Sequence, residues 1–234
     1  MGPNLPTVLF NAMINPIIPY NIKGTIWYQG ESNVGRAEEY ARLFPKMITD
    51  WRSYWKKDFP FYFVQIAPYN YGSQLNEEGS MHLRDAQRKS LKTKNTGMVV
   101  TMDIGNFSNI HPANKQDVGK RLAGLALVND YQMNIIASGP LFKDSQISKN
   151  KLILKFTDIG SGLTAFNAKL TGFEIAGIDE EYVTAIAEIK NNTVHLSALS
   201  ITAPKYARYA WSDNCKATLF NKEGLPASSF ETKD

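Results

Sequence analysis

Strand-type and helix-type patterns alternate three times in the first part of this chain, and that alternation restricts its fold more than any other feature. Residues 25–29 are β-branched and aromatic and run into a turn at Gly30. A long helical pattern follows, with Tyr40, Leu43, Phe44, Met47, Ile48, Trp51, Tyr54 and Trp55 at three- and four-residue steps and Pro45 placed to kink it. Residues 61–67 read as a buried strand, 81–93 as a helix and 97–102 as a third strand. Residues 114–130 close the series as a helix with the stripe Val118, Leu122, Leu125 and Ala126. Right-handed crossovers between such units make the strands parallel and put helices on both faces of the sheet. Side chains that do chemistry then belong at the carboxyl ends of the strands, from which Gly30 and Asp103 lead away.

Beyond about residue 135 the pattern changes. Residues 151–157, 173–176, 182–189, 193–197, 206–211 and 217–220 read as short strands separated by Gly, Asn and Asp turns, with no helix of comparable strength between them. The expected organisation is an α/β domain over 1–133 and a β-rich module over 134–234. Residues 68–79, rich in Asn, Gly and Tyr, read as a long functional loop or lid, and 7–14 as a short helix stopped by Pro16 and Pro19.

The chemistry is concentrated in two places. Gly24-Thr-Ile-Trp-Tyr-Gln-Gly-Glu-Ser-Asn33 delivers Glu31, Ser32 and Asn33 to one edge of the sheet, and Asn109-Ile-His-Pro112 sets a histidine in a loop directly before a helix. An amide donor and a loop histidine are what ester hydrolysis requires as oxyanion donor and general base. The third partner, an activated serine, is not obvious. Ser32 lies in Gly30-Glu-Ser-Asn-Val-Gly35, where Val34 occupies the position at which a nucleophile elbow carries its second glycine. On its own Asn33 also reads as a turn residue or helix cap. Glu31 reads either as a structural carboxylate or as a partner for a histidine or for substrate hydroxyls. Of the three histidines, His195 falls in an alternating strand and His82 opens a helix, so both read as structural. Glu31, Asp103 and His111 match no metal-site spacing, and no metal or other cofactor is expected.

Composition bounds the rest. A hydrophobic content of 43% with 21% charged residues is ordinary for a globular chain. The net charge of +4 is mild, and the densest basic run, over 84–94, reads as a solvated helix face, so no nucleic-acid partner is expected. The single cysteine, Cys215, excludes an intrachain disulfide. No apolar run reaches the roughly 20 residues that span a bilayer, and Met1-Gly-Pro-Asn-Leu-Pro lacks the regions of a signal peptide.

Leu9-Phe-Asn-Ala-Met-Ile-Asn-Pro16 and Ile22-Lys-Gly-Thr-Ile-Trp-Tyr-Gln-Gly-Glu-Ser-Asn33 closely resemble the middle of the sialate O-acetylesterases, members of the SGNH hydrolases. Ile110-His-Pro-Ala-Asn-Lys-Gln-Asp-Val-Gly-Lys-Arg-Leu-Ala123 resembles the family's histidine block. Tyr209-Ala-Trp-Ser-Asp213 and Leu219-Phe-Asn-Lys-Glu-Gly-Leu-Pro-Ala-Ser228 resemble its C-terminal signature. The resemblance implies a three-layer α/β/α sandwich, here incomplete at its N-terminus and followed by the β-rich module. It implies His111 as general base and the Gly30 N–H with the Asn33 amide as oxyanion donors. Many members carry Asp two residues before the histidine, where this chain has Asn109, so Asp103 is named as the substitute orienting acid beside a backbone carbonyl. Leu83-Arg-Asp-Ala-Gln87 also matches, and makes Arg84 and Gln87 either pocket supports or part of an exposed helix. The family's nucleophile sits in an upstream Gly-Gln-Ser-Asn block that this chain lacks. The expectation is an esterase for acetylated carbohydrates, secreted or periplasmic as a whole, with the serine supplied by a missing N-terminal half or by a partner copy. The alternative is a carbohydrate-binding or structural remnant that uses Tyr69-Asn-Tyr71 and the β module to hold sugar.

Overall fold

Three short strands pair in parallel through the first part of the chain: β1 (Thr25–Trp27), β2 (Phe61–Val64) and β3 (Thr96–Val99), in the order β1-β2-β3. The computed structural model describes residues 2, 5–72 and 79–233. Residues 73–78, within the stretch read as a loop or lid, lie outside the described residues. β2 is buried on both faces, which is why Phe61-Tyr-Phe-Val64 is continuously apolar rather than alternating.

Helices cover the two faces. On one side, α1 (Ala37–Trp55) turns Tyr40, Phe44, Ile48 and Trp51 onto Trp27, Phe61 and Phe63, and Pro45 is accommodated inside it. On the other side, α3 (Lys115–Asn129) sets Val118, Leu122 and Leu125 against Tyr62, Val64 and Val99. The result is a three-layer α/β/α arrangement. α3 covers β2 and β3 but not β1, so Ile26 stays 68% exposed, and among the described residues no strand pairs with the other edge of β1. The segment read as a helix over 7–14 forms irregular helical turns at Phe10–Ile14 and Asn15–Ile17.

The basic run expected as a solvated helix face over 84–94 is solvated only in part: Lys92 and Lys94, beyond the end of α2 (Ser80–Lys89), are exposed, but the inner side of the helix is not. Arg84 and Gln87 are fully buried, while Arg88 and Lys89 both pair with Asp85. The reason is position: α2 is wedged between the parallel sheet and the C-terminal strands, so its inner side has no access to water.

The chain then becomes antiparallel. β4 (Leu141–Ser148), β5 (Lys151–Thr157), β6 (Leu163–Thr164), β7 (Phe173–Ala176) and β8 (Val183–Thr184) come first. β9 (Ile186–Lys190), β10 (Thr193–Ser197), β11 (Tyr206–Tyr209), β12 (Phe220–Asn221) and β13 (Phe230–Glu231) follow. They form sheets ordered β4-β5-β10-β9 and β13-β11-β7-β8, with a small β12-β6 pair. Their inner faces, including Leu154, Phe173, Val194, Tyr209 and Phe230, join the same buried cluster as Phe44, Phe63 and Leu83.

Candidate active site

The chain leaves β1 through Tyr28 and Gln29 and closes a tight turn over Glu31–Asn33, with the Asn33 N–H on Gly30 O at 2.7 Å and the Val34 N–H on Glu31 O at 3.2 Å. Gly30 is buried, and a Cβ there would lie 2.7 Å from Ile66 Cγ2 and 2.9 Å from Gln87 Nε2, so only glycine fits. The Asn33 Oδ1 accepts a hydrogen bond from Gln29 Nε2 at 2.7 Å, which leaves the Asn33 NH₂ as donor.

The histidine loop leaves β3 through Thr101, whose hydroxyl donates to Gln65 O at 2.6 Å. Two successive turns shape it. The Asn109 N–H donates to Asn106 O at 3.2 Å, and the His111 N–H donates to Asn109 Oδ1 at 2.9 Å. Asn114 then caps α3, its Oδ1 accepting from the Asp117 N–H at 3.1 Å. His111 is thereby held just ahead of the helix with its ring exposed.

These two segments, distant in sequence, line one cavity of about 460 Å³ formed by Tyr28, Gln29, Glu31, Ser32, Ile110, His111 and Lys115. That volume suits a small ligand. Tyr28 and Lys115 belong to this site although motif spacing alone did not single them out. Lys115 Nζ lies 4.5 Å over the Tyr28 ring. Burial and the nearby Glu31 charge push the Tyr28 phenol up to about 12, so it stays protonated and able to donate. The signal was present: Lys115 stands four residues after the histidine in the first turn of α3, and Tyr28 directly follows β1.

Asp103 takes a different place. Both of its oxygens are held by Arg121, at 2.7 and 2.6 Å, and Arg121 also donates to Val100 O. Asp103 lines a second cavity, of about 650 Å³, with Asn70, Asn106, Phe107 and Lys216. The expected pairing of Asp103 with His111 is therefore not what the structure shows; Asp103 anchors the base of the loop. Asn109 is likewise turned to the backbone of His111, and among the described residues no side chain hydrogen-bonds the His111 ring. His195 sits in β10 against Thr193, and His82 packs edge-on against Trp211, both outside the site. Among the described residues no group of three or more His, Cys, Asp or Glu is arranged to hold a metal, and no helix is long and apolar enough to cross a membrane.

Gln87, buried in α2, donates from Nε2 to Gln29 O at 3.2 Å and Val64 O at 3.3 Å and accepts the Ile66 N–H at 2.9 Å. It ties the turn after β1 to the end of β2. Arg84, three residues earlier, donates to Ser80 Oγ, Ser229 Oγ, Ala210 O and Ser212 O. Both residues thus support the interior rather than an exposed helix face.

A crystal structure of a carbohydrate acetylesterase from Xanthomonas citri superposes with a TM-score of 0.92 at 39% identity, covering 98% of this chain and 54% of that one. Human sialate O-acetylesterase is 32% identical over 176 residues, 67% of this chain and 34% of the human protein. The mouse enzyme is 34% identical over the same length, 32% of its own. The chain spans about a third of the length of these curated relatives. Residues 7–128, more than half of the chain, match the model of the carbohydrate esterases described as sialic acid-specific acetylesterases, and with the α/β fold above this shows that the chain belongs to that family.

Proposed function

We propose that the chain carries the base and the oxyanion donors of an esterase that removes O-acetyl groups from sialic acid or related sugars. The observation that carries this reading is the cavity lined by Gln29, Glu31 and Ser32 from one end of the α/β part and by His111 from the other, with Gly30 and Asn33 next to those residues in the chain rather than in its lining. A serine Oγ attacks the acetyl carbonyl while His111 takes its proton. The Gly30 N–H and the Asn33 NH₂ stabilise the negative charge on the carbonyl oxygen. Collapse expels the sugar oxygen, which recovers the proton from His111, and leaves an acetyl-serine. Water, deprotonated by His111, then releases acetate and restores the serine. Glu31 and the Tyr28–Lys115 pair face the sugar side of the cavity, where hydroxyls need acceptors and donors.

The serine in this reading comes from a segment outside the described residues. The edge of β1 with which no described strand pairs and the bare Ile26 support it, because a parallel sheet is ordinarily covered on both faces and a further strand and helix would fill both places. The greater length of the relatives supports it as well.

The test is hydrolysis of p-nitrophenyl acetate by the 234-residue chain. We expect a rate no higher than that of His111→Ala. Supplying the part of the Xanthomonas relative that this chain does not cover should give deacetylation of O-acetylated sialic acid, and His111→Ala should then lower kcat by about 10²–10⁴. A His111-dependent rate in the chain alone, with stoichiometric labelling of Ser32 by a fluorophosphonate, would make Ser32 the nucleophile. A folded complex that binds the sugar without turnover would leave only the binding role.

A further inference from the structure

The oxyanion donors of the proposed reaction are useful only if they are aimed before the substrate arrives. We infer that Gln87 and Gln29 are the positioning residues that aim them, Gln87 for the Gly30 N–H and Gln29 for the Asn33 NH₂; this rests on the esterase reading of the site.

The argument for Gln87 begins with one peptide plane. The Gln29 carbonyl and the Gly30 N–H belong to the same trans peptide, so they point in opposite directions. The Gln29 oxygen is gripped from the interior by Gln87 Nε2 at 3.2 Å and by the Tyr40 hydroxyl at 3.4 Å. Burial pushes the Tyr40 phenol up to about 12, so it remains a donor at any working pH. With the oxygen held inward, the N–H of the same plane points the opposite way; Gly30 is itself buried, and its chain neighbours Gln29 and Glu31 line the His111 cavity. Among the described residues no acceptor bonds the Gly30 N–H.

Gln87 cannot perform this task in the flipped orientation. Its Oε1 accepts the Ile66 N–H while its Nε2 donates to two carbonyls, Gln29 O and Val64 O. A flip would set oxygen against two oxygens and NH₂ against an N–H. The carboxamide therefore reads the ends of two parallel strands at once and fixes the peptide between them. Neither Met, which has no hydrogen bond to offer, nor an ionised Glu, which has no donor, can replace it.

Gln29 does the second part from the cavity wall. Its Nε2 occupies the Asn33 Oδ1 at 2.7 Å, so the Asn33 NH₂ is the end left free to donate, beside Ser32 of the cavity lining. Without Gln29 the Asn33 amide would be free to turn its oxygen toward the developing negative charge.

Acetate, the product that carries the same oxygen, provides a probe that needs no nucleophile. In ¹⁵N-labelled 234-residue chain, the Gly30 amide and the Asn33 side-chain NH₂ resonances should shift saturably with acetate at constant ionic strength. In Gln87→Met the Gly30 response should weaken roughly tenfold or more while the Asn33 response persists. In Gln29→Met the two effects should be exchanged. Equal responses in wild type and both variants would overturn the positioning roles and leave the esterase reading intact. No response of either donor in wild type would overturn the oxyanion assignment and the positioning roles with it. Should Gln87→Met not fold, Tyr40→Phe, which removes one grip on the same oxygen, serves for the Gly30 arm: a weakened Gly30 response supports the inference, and an unchanged one overturns the inward grip as its cause.

Discussion

At Gly30 the absence of a methyl group decides whether the turn closes at all. The space a Cβ would take is held by Ile66 Cγ2 at 2.7 Å and Gln87 Nε2 at 2.9 Å, and neither residue has any exposed surface through which to yield. Overpacking of this kind costs about 1–3 kcal/mol, so Gly30→Ala should lower the unfolding free energy by that amount and move the urea midpoint down with it. An unchanged midpoint would mean that the turn relaxes without cost. The residues carrying this site differ in how far the sequence revealed them. Gly30, Asn33 and His111 stand at strand and helix ends, which local pattern marks as candidate positions, but their roles come from the family resemblance, since alone Asn33 reads as a turn residue or cap. The partner of Asp103 is not marked in this way, because Arg121 lies 18 positions further on along α3 and the pair forms only when that helix docks. Arg84 and Gln87 were ambiguous for a related reason: a charged or polar side chain on a helix reads as exposed unless the surrounding tertiary structure is known.

Among the elements, α3 has the most direct hold on the site, since its first turn follows His111 and carries Lys115. Its start is fixed by Asn114, whose Oδ1 accepts the Asp117 N–H and whose Nδ2 donates to the Asp117 carboxylate at 2.8 Å. Removing such a cap costs about 0.5–2 kcal/mol, so Asn114→Ala should fray α3 and lower the midpoint. The hydrogen bond from Asn114 also holds the Asp117 carboxyl below its ordinary value of 3.8. A depressed folded value means that the contribution is present above the ordinary value and is lost as the pH falls through the folded one. Midpoints measured from pH 7 down to pH 2 should therefore decline below about pH 4, and less steeply in Asn114→Ala; identical slopes would remove Asp117 from the account. The helices and the strands β5, β7 and β10 were legible because each has a buried side and a less buried one. β4 was not, because it sits at a sheet edge with most of its residues exposed and a register shift between Phe142 and Asp144, so it shows little alternation. Residues 182–189 read as one strand but divide between β8 and β9, in different sheets. Val183, Ala185, Ala187 and Ile189 keep the same parity toward a shared core, so the period of two continues across the break.

For the molecule as a whole, the question is whether the α/β part and the β-rich part over 134–234 behave as separate domains. One buried cluster runs through both, and the links between them are polar as well as apolar: Gln65 Nε2 donates to Ser228 Oγ at 2.8 Å, and the Ser80 N–H to Asp213 Oδ1 at 2.6 Å. Arg84 is the largest of these links. Its guanidinium is fully buried, burial lowers its pKa, and it reaches Ala210 O and Ser212 O from α2. Replacing a buried charge by a hydrophobe can be neutral when its partners are replaced too. Here Ser212 O would lose its Arg84 donor and Ala210 O would keep only the Cys215 thiol, so Arg84→Met should cost about 2–4 kcal/mol. Because the lost bonds lie between the two parts, the loss should be felt by both. Variants retaining only Trp51, in α1, or only Trp211, beside His82, report on the two parts separately by fluorescence. Both should unfold in urea at one midpoint, and Arg84→Met should lower the two midpoints equally. Two separate transitions, or a shift confined to Trp211, would show that the β-rich part is an independent domain and that the Gly30 turn draws its stability from α1, α2 and α3 alone.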